Sequence, residues 1–162
     1  MKTRRSFLTN SGLALGASLI GARAFAQSQK DHDHGHHKHG AGIRPALSKS
    51  LKALQESADH CLDVGKTCVA HCNVLLAGGD KEMASCQMAV MNMLSVTQAV
   101  SDISHYNSFK KSTFSQLVKA CMELCKDCET ECKRHADMHS ECKECMEACQ
   151  RCIKSCQAYL KS

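Results

Sequence analysis

Thirteen cysteines lie between Cys61 and Cys156, and almost all of them step by three or four residues. That spacing constrains the fold more than anything else in the chain. Steps of three and four return a side chain to one face of an α-helix, so the cysteines must line helix faces rather than sit in loops. The surrounding residues agree: beyond Pro45 the chain is rich in Ala, Leu, Lys, Glu, Gln and Met, all good helix formers. Four seams can be counted. The first reads Leu47, Leu51, Leu54, Ala58, Cys61, Gly65, Cys68, Cys72 and Leu75. The second reads Met83, Cys86, Val90, Met93, Thr97, Val100 and Ser104. The third reads Phe114, Val118, Cys121, Cys125, Cys128, Cys132 and His135, and the fourth Cys142, Cys145, Cys149, Cys152, Cys156 and Tyr159. The opposite faces are charged, as at Glu141, Lys143, Glu144, Glu147, Arg151 and Lys154.

The punctuation predicts four helices. Pro45 suits a first helical turn, and Gly78-Gly79 a stop after about Leu76. A second helix is expected from about Lys81 to Tyr106. Thr113 with Gln116 forms a capping-box pattern for a third helix reaching about His135. Ser140 is the expected N-cap of a fourth, which continues to Tyr159. Short connections make neighbours antiparallel, so the expected fold class is all-α, an antiparallel up-down four-helix bundle with a cysteine-lined core. Antiparallel order sorts that core. One end becomes an apolar plug of Leu47, Leu51, Val100, Phe114, Val118 and Tyr159. The other is thiol-rich and rimmed by His71, Met83, His135, Met138 and His139.

The N-terminal residues read differently. Thr3-Arg4-Arg5-Ser6-Phe7-Leu8 has the twin-arginine form, a mild apolar stretch runs from Leu13 to Ile20, and Ala24-Phe25-Ala26 offers a small-x-small cleavage pattern. Residues 1–26 are therefore expected to be a signal peptide, with a periplasmic mature protein. The apolar stretch is too short for a membrane span, which needs ~20 residues. The segment takes with it four of the 21 basic residues and none of the 16 acidic ones, leaving 17 against 16, a formal +1. That balance argues against nucleic acid or acidic lipid as partners. Residues 27–44 carry His32, His34, His36, His37 and His39 among Asp and Gly, and such a tract is expected to be a disordered tail able to collect metal weakly. Residues 45–162 are the expected bundle domain.

Many cysteines in an exported chain would ordinarily suggest a disulfide framework. Here the number is odd, and cysteines three or four apart on a helix have Cβ atoms roughly 5–6 Å apart, against the ~3.8 Å a disulfide wants. A soft metal fits better. Metal–sulfur bonds of about 2.3 Å let one linear ion bridge i,i+4 pairs such as Cys68/Cys72, Cys121/Cys125, Cys128/Cys132, Cys145/Cys149 and Cys152/Cys156. Thiolates and thioethers select copper(I), zinc or iron–sulfur clusters. Zinc wants four ligands in a tetrahedron, and cluster cysteines typically lie on loops, often with a following proline. Copper(I), content with two or three sulfurs, matches best, and bridging thiolates would balance about one ion per cysteine, avoiding buried net charge. A zinc or general soft-metal buffer is the alternative, and an exported thiol-disulfide protein a further one. Met93 reads as core filler, Met88 and Met91 share its helix, and His60 and His105 read as surface residues. No Ser, Asp or Glu forms a catalytic arrangement, so no enzyme is expected.

The residues Cys61, Cys68-Val-Ala-His71-Cys72 and Met83-Ala-Ser-Cys86, with the dense cysteine runs of the third and fourth helices, resemble the copper storage protein family over about Leu47–Leu160. The resemblance implies a bundle holding many copper(I) ions and all thirteen cysteines as ligands: Cys61, Cys68, Cys72, Cys86, Cys121, Cys125, Cys128, Cys132, Cys142, Cys145, Cys149, Cys152 and Cys156. It further implies His71 and Met83 at the mouth, a homotetramer, and a copper enzyme or chaperone as recipient. The sequence departs from the family where Leu75 and Gly78 stand in place of the methionines expected at the mouth, and where the second helix carries Cys86 alone.

Overall fold

The computed structural model describes residues 46–162, so the signal-like segment, the histidine tract and Pro45 lie outside the described residues. Four helices follow one another: α1 (Lys49–Ala77), α2 (Met83–Tyr106), α3 (Lys111–Lys133) and α4 (Ser140–Leu160). Each packs against two neighbours, α1 against α2 and α4, and α3 against α2 and α4. Connections of five, four and six residues close an antiparallel ring. Among the described residues no helix is long and apolar enough to cross a membrane.

The helix ends differ from the expected ones for local reasons. α1 starts at Lys49 because the Ser48 hydroxyl accepts the Leu51 N–H at 3.1 Å, a side-chain cap. It ends in a Schellman turn: Gly79 takes φ +95° while its N–H reaches Leu76 O and that of Asp80 reaches Leu75 O, each at 3.0 Å. Only glycine adopts that backbone freely. The Asp80 carboxylate accepts the Glu82 N–H at 3.1 Å, and this turn holds back α2 until Met83. Asn107, at φ 48°, ends α2 in the left-handed region that asparagine tolerates.

The capping box at Thr113 does not form, since α3 is already under way at Lys111. Its start is fixed instead by Phe109 and Phe114, whose ring centroids lie 4.2 Å apart across the N-cap, the N′-to-N4 spacing of a hydrophobic staple. α3 stops at Lys133 rather than His135, and His139, not Ser140, is the N-cap of α4. The Ser140 hydroxyl is engaged by Glu141.

The core runs as the seams predict, with every cysteine buried. At the plugged end Phe114 meets Tyr159 edge-on at 5.3 Å, and Leu51, Val100 and Val118 are buried beside them. Leu47 is a correction: at 39 % exposed it lies outside the plug, because it precedes the capped start of α1. Gln55 donates to Ser104 O at 2.7 Å, tying α1 to α2 with a satisfied buried polar pair. At Gly65 the α2 side chains press close against α1. A Cβ there would lie 2.8 Å from Leu94 Cδ2 and 2.9 Å from Met93 Cε. Gly65→Val should therefore overpack the core and cost about 1–3 kcal/mol. Thermal unfolding of the empty protein checks this, and an unchanged midpoint would contradict the close approach.

Candidate metal centre

All thirteen cysteines are free thiols, and they meet across helices. Cys68 and Cys72 of α1, Cys86 of α2 and Cys142 of α4 form a four-sulfur group. Four groups of three follow: Cys68/Cys132/Cys145, Cys128/Cys145/Cys149, Cys61/Cys125/Cys152 and Cys121/Cys152/Cys156. Within each group the sulfurs lie within 4.8 Å of one another. Together the groups include every cysteine, and Cys68, Cys145 and Cys152 each belong to two. Shared sulfurs join the first three groups into one upper chamber and the last two into a lower one. The 4.0 Å contact of Cys61 with Cys149 links the two chambers.

The expected i,i+4 pairs Cys68/Cys72, Cys145/Cys149 and Cys152/Cys156 lie within these groups, which add partners from other helices. Cys128 and Cys132 do approach to 3.9 Å, but the shorter contacts cross helices, Cys86 to Cys132 at 3.6 Å and Cys128 to Cys145 at 3.8 Å. Antiparallel packing turns four seams into sulfur triangles, which the spacing on a single helix cannot reveal. Thr97, fully buried on α2, brings its hydroxyl to 3.5 Å from Cys121 Sγ at the foot of the lower chamber.

Burial pushes the Cys72 thiol up to about 12, helped by the negative charge of a Cys86 thiolate beside it. Cys142 also rises to about 12: the hydrogen bond with Cys68 pulls it down, but that with Cys86, together with burial, outweighs it. Three sulfurs go the other way. Cys86 is lowered by hydrogen bonds from Cys132, Cys142, Cys68 and Cys72, against the upward push of burial. Cys145 is lowered by Cys128, Cys132, Cys149 and Cys68, and Cys152 by Cys121, Cys125, Cys156 and Cys61. In the empty core these three are the thiols on which hydrogen bonds from the rest converge.

The mouth is built from α1, the α3–α4 turn and the start of α4. His71 Nε2 lies 3.1 Å from His139 Nδ1, and His71 Nδ1 lies 3.5 Å from Glu141 Oε1. His135 is buried beside them, its ring centroid 6.4 Å from that of His139. Met138 is open to solvent at 72 % exposed. Met83, expected both on the α2 seam and at the rim, has a fully buried side chain, so its seam position turns it into the core rather than out to the rim. His60 and His105 lie outside the core. His60 meets Arg151, and His105 meets Asp59 and the Ser101 carbonyl. Met93, read from the sequence as filler, stands 3.4 Å from Cys61 Sγ.

Comparison with known proteins agrees with this geometry. Residues 47–161 match the family model for copper storage protein. The fold is similar to a Streptomyces lividans copper storage protein, Ccsp, solved with 10 copper equivalents, at TM-score 0.64 and 26 % identity over 69 % of this chain and 84 % of that one. It is also similar to a cytosolic copper storage protein from Streptomyces lividans carrying five coppers, at TM-score 0.65 and 25 % identity over 70 % of this chain and 93 % of that one. Among the curated proteins no sequence matches the chain. The cytosolic description of that relative overturns the periplasmic localisation expected from residues 1–26. The chain belongs to the copper storage protein family.

Proposed function

We propose that residues 45–162 store copper as copper(I), with all thirteen cysteines as thiolate ligands and about one ion per cysteine at saturation. The observation that carries this reading is that the five sulfur groups leave no cysteine out and share three of their members. Isolated bis-thiolate ions would each bury a net negative charge, whereas shared thiolates balance the ions one for one. His71 and Met83 would handle copper at the open end, His71 in the mouth and Met83 just below it. The role is that of a store rather than an enzyme, feeding a copper-requiring enzyme or chaperone.

The homotetramer implied by the resemblance is supported by α2. From Met83 to Ser101 that helix carries no charged residue, and its outer face exposes Met88 and Met91. Two copies can meet there without like charges facing each other, unlike on the charged faces of α3 and α4.

The test is an anaerobic copper(I) titration of the reduced protein against a competing chelator, with thiols counted first and mass read by light scattering. Ten or more tightly held ions on about thirteen thiols, at four-chain mass, is the expected result. Saturation near half the cysteine number would sink the bridged store, and a monomer mass the tetramer. Excess chelator added afterwards should draw the copper back out, as a supply role requires; copper that never leaves would count against it. The four-sulfur group Cys68/Cys72/Cys86/Cys142 also has the ligand number of a zinc site. Zinc taken up at one equivalent and not displaced by copper(I) would assign that group to zinc.

A further inference from the structure

The lower chamber draws its thiols from α1, α3 and α4, with Cys61, Cys125 and Cys152 as its central group. The helix that gives this level no cysteine is α2, which sets Thr97 against Cys121 at the foot and Met93 against the central group. The Met93 side chain is fully buried, and Cys61 Sγ points its thiol at Met93 Sδ across 3.4 Å. On the α1 side the space is cleared by Gly65, one turn from Cys61, where a Cβ would crowd Met93 Cε at 2.9 Å. A side chain that only filled volume would not need its sulfur directed at a thiol of a metal-holding group.

We propose that Met93 is a copper ligand, its thioether binding one copper(I) ion together with Cys61. The chemistry is suited to this depth. A thioether is soft and neutral, and it has no proton to give up. Copper(I) held by one thiolate and one thioether is uncharged, so this ion needs no bridging neighbour to avoid a buried charge. Binding displaces a single proton, that of Cys61. A straight sulfur–copper–sulfur unit holds its sulfurs about 4.6 Å apart on bonds of about 2.3 Å. Met93 has to swing outward by about 1 Å to reach that span, which its three side-chain torsions permit. A bent arrangement with Cys125 or Cys152 as third ligand needs less movement.

The proposal rests on copper(I) being the cargo, and the experiment separates the two claims. Fully loaded selenomethionine-substituted protein is measured at the selenium edge by X-ray absorption, beside the same protein with Met93→Leu and with Met83→Leu, the two methionines buried among the described residues. A copper–selenium contact in the parent that Met93→Leu removes or reduces, and that remains in Met83→Leu, is the expected result. Leucine keeps the volume, so the variant should still show about thirteen thiols and an unchanged helix signal. One ion should then bind at least about tenfold more weakly, the scale of loss when a metal site loses a supporting partner. A loaded parent with no copper–selenium contact overturns the proposal without any variant, as does a contact that Met93→Leu leaves intact. A parent that takes up no copper at all fails the storage reading itself.

Discussion

Replacing Cys68, Cys145 and Cys152 together by alanine should strip the core of most of its tightly held copper, far more than removing three other cysteines. These are the sulfurs that belong to two groups each, and without them only Cys72/Cys86/Cys142 still counts three sulfurs. Removing Cys72, Cys121 and Cys128 instead leaves three groups that still count three sulfurs: Cys68/Cys86/Cys142, Cys61/Cys125/Cys152 and Cys68/Cys132/Cys145. The two variants lose the same number of thiols and the same buried volume. Their folding penalties are matched, at about 1 kcal/mol per buried sulfur by analogy with a methylene, so a difference in capacity reports connectivity alone. Cys145 and Cys152 are also thiols on which neighbouring hydrogen bonds converge, so the first variant removes two of the sulfurs best placed to lose a proton early. The measurement is copper(I) capacity against a strong chelator, with thiols counted in both proteins. Equal capacities would mean that the sulfur groups of the empty bundle are not the sites that copper fills.

How much of this was legible beforehand follows from what a single helix can show. The seams placed all thirteen cysteines in the core, because helical period alone decides which residues share a face. They also placed the plug residues Val100, Phe114, Val118 and Tyr159. The helix starts were less legible. Ser48, the Asp80 turn and the Phe109–Phe114 staple are contacts of a few local atoms, and Thr113–Gln116 offered an equally good pattern that the staple overrode. Grouping was not legible at all: that Cys86 meets Cys132, or Cys61 meets Met93, depends on the rotation and axial offset of two separate helices. Met93 reads as filler along its own helix, and its contact with the Cys61 thiol appears only once α1 and α2 are packed. Localisation misled for another reason. The twin-arginine pattern lies in residues 1–26, outside residues 47–161 that carry the family match.

Loaded and empty protein should differ most in alkali, where the empty bundle loses stability and the loaded one does not. At neutral pH the gap is already wide. An ion present at a thousand times its dissociation constant adds about 4 kcal/mol to the folded state, so a few such ions rival the whole 5–15 kcal/mol of an ordinary domain. The melting midpoint should rise by tens of degrees, at several degrees per kcal/mol. The pH dependence has a definite sign. Cys72 rises from 9.0 to about 12 on folding, through burial and then its Cys86 neighbour, and Cys142 reaches about 12 as well. A raised thiol keeps its proton longer in the folded state, so its contribution is complete below about 9 and is lost as pH climbs towards 12. Cys68, Cys125, Cys132, Cys149 and Cys156 are raised too and add to the same slope. Cys86, Cys145 and Cys152 are lowered, so their contribution is already complete in this window and does not offset the loss. Copper-bound thiolates have no proton left to release, and the loaded core should be indifferent between pH 9 and 11. The difference between the two melting curves isolates the groups from which copper displaces protons, the thiols. The expected result is an empty-protein midpoint falling by on the order of 10 °C over that range while the loaded midpoint holds. Parallel decline of both would show that the ions do not occupy the buried thiols, because only displaced thiol protons can make the two curves diverge.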